Sequence, residues 1–305
     1  MAARAKGARR RQHPTSVGWW PVLFVGPLLA GVAVFYYYPI VSNAWTSLTR
    51  SSAFGRNSRF VGIENYEALL SGGELGSALG NTVLYTLIVL LGIPIAVLIS
   101  SLIALPGLRF ANLYRALFFM PYLAMPMAIA QVFRLVFNGD FGLVNQGLRA
   151  LGVQQTPYWL TTPGFALFTV AIFGLWASVG FNVIILSAGL KGIPGELYEA
   201  AALDGAGSIR QFFSITVPML TPSIFFLTII QTINGFQLFD ALFAMMGWTN
   251  PALPQTRSLV YLFYHQGFIL NDKGTAAAVA MVILVLVAAV TLVQFLVQRR
   301  WVHYG

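Results

Sequence analysis

Six runs of mainly apolar residues, separated by polar or Gly/Pro-rich connections, leave this chain few ways to fold. A helix that crosses a bilayer core needs about 20 such residues, and residues 19–41, 79–104, 114–137, 163–190, 219–241 and 275–298 each supply that length. Lipid offers no partner to a bare N–H or C=O, so spans of this kind close their hydrogen bonds internally as helices. The expected fold class is all-α integral membrane, with about six transmembrane helices. Composition agrees: 57% of the 305 residues are hydrophobic and 9% are charged, against about 25% charged in a soluble domain. The absence of cysteine excludes disulfides, thiolate catalysis and Cys-ligated metals.

A net charge of +9 raises the question of nucleic acid. Five of the cations, Arg4, Lys6, Arg9, Arg10 and Arg11, however, precede the first span, where basic residues set topology. No nucleic-acid partner is expected. Residues 1–18 read as a basic cytoplasmic tail and 19–305 as one membrane domain. The first run is too long for a signal-peptide core and lacks a small-residue cleavage site, so it reads as a retained span. Its aromatic ends, Trp19, Trp20, Tyr36, Tyr37 and Tyr38, suit the headgroup region. Lys and Arg in the connections number eleven on the side of the N-terminus and seven on the other. That bias places both termini, and the segment 193–218, in the cytoplasm.

Pro94 in the second run, and Pro121 and Pro126 in the third, predict kinks; these serve either packing or a gated passage. Residues 60–66, followed by Gly72-Gly73, predict a short amphipathic helix on the outer face. Residues 138–145 predict an outer turn leading into a short helix through Leu151. Thr221-Pro222 reads as an N-cap with proline at the first helical position. No internal repeat is visible.

Polar side chains inside a membrane are costly and face a cavity or a partner helix. The fourth run offers Trp176, Ser178, Phe181 and Asn182. The fifth offers Gln231, Asn234, Gln237 and Asp240, whose spacing of three puts them in one row. Amides beside aromatics suit a hydroxylated solute, which needs donors, acceptors and a flat apolar face. The same residues could equally bond between helices. Arg134 and Asp240 form a candidate outer-gate pair. His13, His265 and His303 have no metal-ligand spacing.

The longest polar interruption of the second half lies at residues 195–218. Glu196 and Glu199 sit in the first turns of a helix begun at Pro194, where carboxylates favour the positive end. Ala200, Ala201 and Ala202 add helix propensity without bulk. Gly205 and Gly207 break that helix, and Ser208-Ile209-Arg210-Gln211 has capping-box form. A second short helix then runs until Pro218. The product is two short helices at an angle, either an ordinary interfacial pair or a small-faced knob for a groove on another protein.

Glu199-Ala200-Ala201, three residues, Gly205, nine residues, then Ile215-Thr216-Val217-Pro218 resembles the EAA loop of ABC importer permeases, with an Asp204-Gly205-Ala206 core. Val217 replaces the usual leucine. Tyr38-Pro39 with Ser42 and Ser47, residues 60–66, Gly142 to Asn145 and Phe236 to Asp240 look like the carbohydrate-uptake group, which includes maltose-type and glycerol-3-phosphate-type permeases.

The resemblance implies the type I ABC importer permease fold, with the EAA coupling loop at residues 193–218. It implies a bacterial inner-membrane subunit, surrounded by membrane lipid and paired with a second related permease as a heterodimer. A homodimeric cytoplasmic ABC ATPase would bind below and an extracytoplasmic solute-binding protein above. Glu199 would make a charged contact with the ATPase, Ala200 and Ala201 would allow close approach, and Gly205 would set the angle between the helices. Asp204, Ile215 and Pro218 complete the motif. ATP and magnesium would sit on the ATPase, since this chain has no G-x-x-x-x-G-K-S/T sequence; the chain would bind no cofactor and would not itself be an enzyme. The solute would be a sugar, an oligosaccharide, a polyol, glycerol-3-phosphate or a glycerophosphodiester. In related permeases the residues just before and just after the loop line the translocation site.

The alternative is an ion-coupled secondary transporter, which should show intramembrane carboxylates and inverted repeats. An integral membrane enzyme should show an acid/base or metal constellation. Neither pattern is evident.

Overall fold

The computed structural model describes residues 19–51 and 58–302. The basic tail at 1–18, Arg56, His13 and His303 lie outside the described residues. The chain divides into two compact units, one ending at Trp45 and one beginning at Thr46. Helix α1 (Trp20–Ser47) is longer than the hydropathy run predicts. It widens into a π-type turn at Ala33–Tyr37. Pro39 supplies the cause: it has no N–H for the carbonyl four residues back, and a wider turn absorbs that loss.

The second unit opens with a small antiparallel hairpin, β1 (Thr49–Ser51) and β2 (Ser58–Phe60), with Thr49 opposite Phe60. Three-residue strands carry no hydropathy period, so the sequence gives no hint of them. A short helix follows as α2 (Glu64–Ser71), after Phe60 has ended β2. Buried Asn65 on it ties the hairpin down, donating to the carbonyls of Ser47 at 2.8 Å and Thr49 at 3.0 Å.

Helix α3 (Glu74–Ile103) is the second span. It turns at Leu91 and resumes at Gly92, where Pro94 cannot donate to the carbonyl of Leu90. The third run bends far more sharply than a simple proline kink. It forms α4 (Ala111–Leu123) and α5 (Pro126–Val136), which meet at 94°. The residue before a proline is pushed out of the helical region, and Met125 accordingly has ψ 117° while Ala124 has ψ 151°. The short helix α6 (Leu143–Ala150) follows.

Helix α7 (Phe165–Lys191) is the centre of the unit, packing against α3, α4 and the later helices. Val170 and Ala171 near one end and Val183 and Leu186 near the other are all fully buried. Beyond it lie α8 (Gly195–Leu203), α9 (Ser208–Met219) and α10 (Thr221–Phe236). Then come α11 (Asp240–Met246), α12 (Leu259–Tyr264) and the last span, α13 (Lys273–Trp301). Among the described residues four helices, α1, α3, α7 and α13, are long and apolar enough to cross a membrane; counting the bent pairs α4–α5 and α9–α10 as one span each gives six.

Two boundary expectations are corrected. The helix of the fifth run, α10, ends at Phe236 rather than 241. Thr221 is not its N-cap: Leu220 holds that position, and the Thr221 hydroxyl donates instead to the carbonyl of Pro218 at 2.7 Å.

Between helices in lipid, association depends on close van der Waals packing rather than on the hydrophobic effect, so small residues mark the tightest contacts. At Gly180 a Cβ would run into the backbone carbonyl of Phe118. Backbone cannot rotate away as a side chain can. Gly180→Ala is expected to cost about 1 to 3 kcal/mol through forced separation of α4 and α7, read as a lower thermal midpoint of the solubilised protein and a several-fold drop in membrane abundance. Gly92→Ala meets the Ser178 hydroxyl at 2.7 Å, a group that can turn aside, and is expected to cost less.

Candidate functional site

The unit carries a cavity of about 540 Å³, mainly apolar with several amides and hydroxyls on its wall, where α3, α4, α5, α7 and α10 converge. Seven of the eight residues singled out inside the spans line it: Trp176, Ser178 and Phe181 from α7, and Gln231, Asn234, Gln237 and Asp240 from α10 and the turn beyond. Asn182 is fully buried behind that wall, where its Oδ1 accepts a hydrogen bond from Gln231 Nε2 at 2.8 Å. Its own Nδ2 has no partner. The Asn182–Gln231 bond ties α7 to α10 through their polar sides.

The four polar residues of the fifth run do not share one helix face. Gln231 and Asn234 are on α10, but Gln237 is its C-cap and Asp240 is the first residue of α11. Phe239, whose φ −143° and ψ −60° fit neither helix nor strand, turns the chain so that Asp240 returns to the same cavity. A broken helix thus gathers what an unbroken one would have strung out along its side.

Aromatic rings cover much of the remaining wall. Tyr122 stacks on Phe181 with centroids 5.0 Å apart, and Trp176 leans on Phe133 at 4.9 Å. Tyr85 and Tyr122 also line the cavity; sequence reasoning passed over them because a tyrosine in an apolar run reads as core. Asp240 is the sole charged residue on the wall, with no lysine or arginine among the lining residues. The expected Arg134–Asp240 pair is not formed. Arg134 opens onto a separate cavity of about 320 Å³ with Asp140 and Tyr158. Among the described residues the ion pairs are Arg257–Glu74 at 3.3 Å and Arg50–Glu64 at 3.7 Å. Outside the spans, burial and the neighbouring Arg257 guanidinium hold His265 below the usual histidine range, against the opposing pull of Glu74. No cluster of three metal-ligating side chains occurs among the described residues.

The second candidate element is the segment that joins α7 to α10. Helix α8 ends in a Schellman arrangement. Gly205, at φ +77°, donates its N–H to the carbonyl of Ala202 at 3.0 Å, and the N–H of Ala206 reaches that of Ala201 at 2.9 Å. The expected capping box does not form. Gly207 is the N-cap of α9 and the Gln211 side chain donates to the Ala206 carbonyl at 2.9 Å instead. Nor does Pro218 stop α9, which passes through a π-type turn at Phe212–Thr216 and continues to Met219. As at Pro39, the wide turn precedes a proline that cannot donate backwards.

Two faces result. On the inner face, the Tyr198 hydroxyl and Thr216 Oγ1 lie 2.9 Å apart, joining α8 to α9. Tyr198, Phe212, Ile215 and Val217 pack against a cluster that includes buried Ile193, Val183, Leu186 and Leu220. The opposite face carries exposed Glu199, Ala200 and Asp204. It also carries three large apolar side chains the sequence reading did not select: Leu203 at 90% exposure, Ile209 at 77% and Phe213 at 66%. Ile215 and Pro218 are half-buried, so within the motif they serve the packing face. Exposed apolar side chains grouped among polar ones are a mark of a surface built for contact.

Residues 68–303 match the family described as "Binding-protein-dependent transport system inner membrane component". The chain is 31% identical over 291 residues to the sn-glycerol-3-phosphate transport system permease protein UgpA of Yersinia enterocolitica, covering 95% of this chain and 97% of the relative. It is 32% identical over 287 residues to the protein of the same name from Agrobacterium fabrum, covering 93% and 96%. Among solved structures it is similar to a chain of a bacterial ABC transporter involved in the import of the acidic polysaccharide alginate, with a TM-score of 0.79, 20% identity, and 92% and 96% of the two chains covered. A second such structure, of a bacterial alginate ABC transporter in complex with alginate pentasaccharide-bound periplasmic protein, also gives 0.79, with 94% and 96% covered.

Proposed function

This chain belongs to the family of binding-protein-dependent transport system inner membrane components, and from that membership we propose that it is one permease half of an ATP-driven importer for an uncharged, hydroxylated solute. The observation that carries the reading is the direct mechanical link between loop and cavity. Helix α7 runs from Trp176, Ser178 and Phe181 to Lys191 and leads to α8, while α9 joins α10, which bears Gln231 and Asn234, across a 62° bend at Leu220. The loop is locked to both by the cluster around Val183 and Leu220. A push on the exposed face of α8 and α9 therefore moves both walls of the cavity together, as a packed body rather than a soft hinge.

In this reading both termini and the loop are cytoplasmic. A homodimeric ATPase holds ATP and magnesium and receives the face bearing Glu199, Ala200, Leu203, Asp204 and Ile209. A second permease subunit completes the passage, and an extracytoplasmic binding protein delivers the solute to the opposite side. Amides of Asn234 and Gln237 and the rings of Trp176, Tyr122 and Phe181 meet its hydroxyls and flat faces. The curated relatives carry a phosphate ester and the structural neighbours an acidic polysaccharide. The wall contributed by this chain offers no cation to either, and its one charge is the Asp240 carboxylate. That distribution favours a neutral sugar, oligosaccharide or polyol.

The test is purification with the neighbouring gene products, followed by uptake in vesicles. An ATPase and a second permease are expected to co-purify. Uptake is expected to stop when ATP is depleted and to survive collapse of ion gradients. Uptake that persists without ATP and stops with the gradient would return the chain to the class of secondary transporters. A neutral solute is also expected to bind the cognate binding protein at least about tenfold more tightly than its phosphate ester, a difference of ~1.4 kcal/mol, measured by titration calorimetry.

A further inference from the structure

We propose, on the reading of the solute as neutral and hydroxylated, that the small cavity beside Arg134 is an outer subsite for one sugar ring or polyol, whose hydroxyl groups bridge the Arg134 guanidinium and the Asp140 carboxylate. At about 320 Å³ the cavity stands at the small end of ligand pockets. Tyr158, Leu160 and Thr161 on its wall come just before α7, so it lies at the opposite end of that helix from α8.

Two opposite charges share this cavity without meeting. Arg134, in the last turn of α5, is exposed and makes no hydrogen bond or ion pair among the described residues. Asp140 accepts the Tyr158 hydroxyl on Oδ1 at 3.1 Å, which leaves Oδ2 open. Asn138 and Asn250, also on the wall, are engaged in holding the loops. Asn138 Oδ1 accepts the N–H groups of Asp140 at 2.9 Å and Phe141 at 3.1 Å, and Asn250 Nδ2 donates to the Leu160 carbonyl at 3.0 Å. A guanidinium only donates and a carboxylate only accepts, whereas a hydroxyl does both. A diol therefore meets both charges at once. A phosphate or carboxylate would satisfy Arg134 and be repelled by Asp140, and an apolar group would leave both unmet.

The walls hold their places before any ligand arrives. Fully buried Asn145 donates to the carbonyls of Gly139 at 2.7 Å and Pro157 at 3.1 Å and accepts the Trp159 indole N–H at 2.7 Å. Arg149 donates to the Asp140 carbonyl at 3.1 Å. These bonds fix residues 139–140 against 157–159, which lowers the ordering cost of binding. Phe133 separates the subsite from the larger cavity: its ring stacks on Phe137 with centroids 6.0 Å apart and leans on Trp176 at 4.9 Å. On α11, Ala241 lines the larger cavity and Met245 the smaller one, a step of ~6 Å at 1.5 Å per residue.

The experiment uses the intact transporter in nanodiscs with Thr161→Cys, the sole cysteine of this chain, as reporter on the subsite wall. Its rate of alkylation is read by mass spectrometry of this chain, with methyl α-D-glucopyranoside, glycerol or D-glucuronate as probe. At saturation the two neutral probes are expected to slow alkylation at least about fivefold, and glucuronate is expected not to. Arg134→Gln and Asp140→Asn each remove one charged partner of the hydroxyl groups. Each is expected to raise the concentration for half protection about tenfold, equivalent to ~1.4 kcal/mol. The assay needs neither ATP nor the binding protein, so its failure is distinct from failure of the importer reading. No protection by either neutral probe, protection by glucuronate that depends on Arg134 alone, or protection unchanged in both variants overturns the proposal.

Discussion

Replacing Gly205 by valine is expected to cut ATP-driven uptake at least about tenfold while the chain still inserts and assembles. Gly205 holds φ +77° at the end of α8, where a side chain faces open space with nothing within 4 Å. The cost is therefore in the backbone alone. A left-handed conformation costs an ordinary residue about 1–2 kcal/mol, and a β-branched one is the worst fit. Valine would relax by giving up the bonds from Gly205 to Ala202 and from Ala206 to Ala201. The angle between α8 and α9 would then change, and Leu203 and Ile209 would no longer present one surface. Gly205→Asn, a residue that visits this region, is expected to keep most of the activity. Measured together on the same vesicles, ATP hydrolysis should persist in Gly205→Val while uptake fails. Full uptake by the valine variant would remove the loop from the coupling path.

Gln231→Leu is expected to lower uptake by about tenfold or more and to destabilise the pairing of α7 with α10. Asn182 is fully buried and its Nδ2 already lacks a partner. Removing Gln231 strips its remaining bond, and a buried polar group left unsatisfied costs about 1–3 kcal/mol. The double variant Asn182→Leu with Gln231→Leu removes both partners and is expected to recover membrane abundance. It should not recover uptake, because the cavity loses the Gln231 amide from its wall. The contrast between abundance and uptake separates the packing role from the transport role. Equal recovery of both would assign the pair to packing alone.

How far the sequence carries varies along the chain in a physically intelligible way. Spans were legible because apolar length is a bulk property that survives any local error. The breaks at Leu91 and at residues 124–125 follow from Pro94 and Pro126, yet a 94° bend cannot be told from a mild kink without knowing what fills the space. Polar residues in the spans led to the cavity, since burying an amide in lipid has few purposes. Their arrangement did not follow, because α10 stops at Phe236 and the turn at Phe239 rather than helical periodicity brings Asp240 back. Spacing identified the loop motif, but its exposed partners Leu203, Ile209 and Phe213 escaped notice. In an apolar sequence a leucine or phenylalanine carries no signal until its neighbours show it uncovered. The capping box at Ser208 failed for a similar reason: Gly207 competed for the cap, and Gln211 found the Ala206 carbonyl nearer.

In the proposed mechanism the face of α8 and α9 seats in the ATPase and drives the cavity. A chain with no native cysteine permits a direct measurement. Leu203→Cys, in the intact transporter with a single cysteine introduced in the ATPase surface that receives the loop, should form a disulfide between the two subunits on oxidation. Uptake should stop when the bond forms and return when it is reduced. If Leu203→Cys fails to cross-link to the ATPase from any position on that surface, while uptake remains ATP-driven, the loop is not the docking element and the account is contradicted.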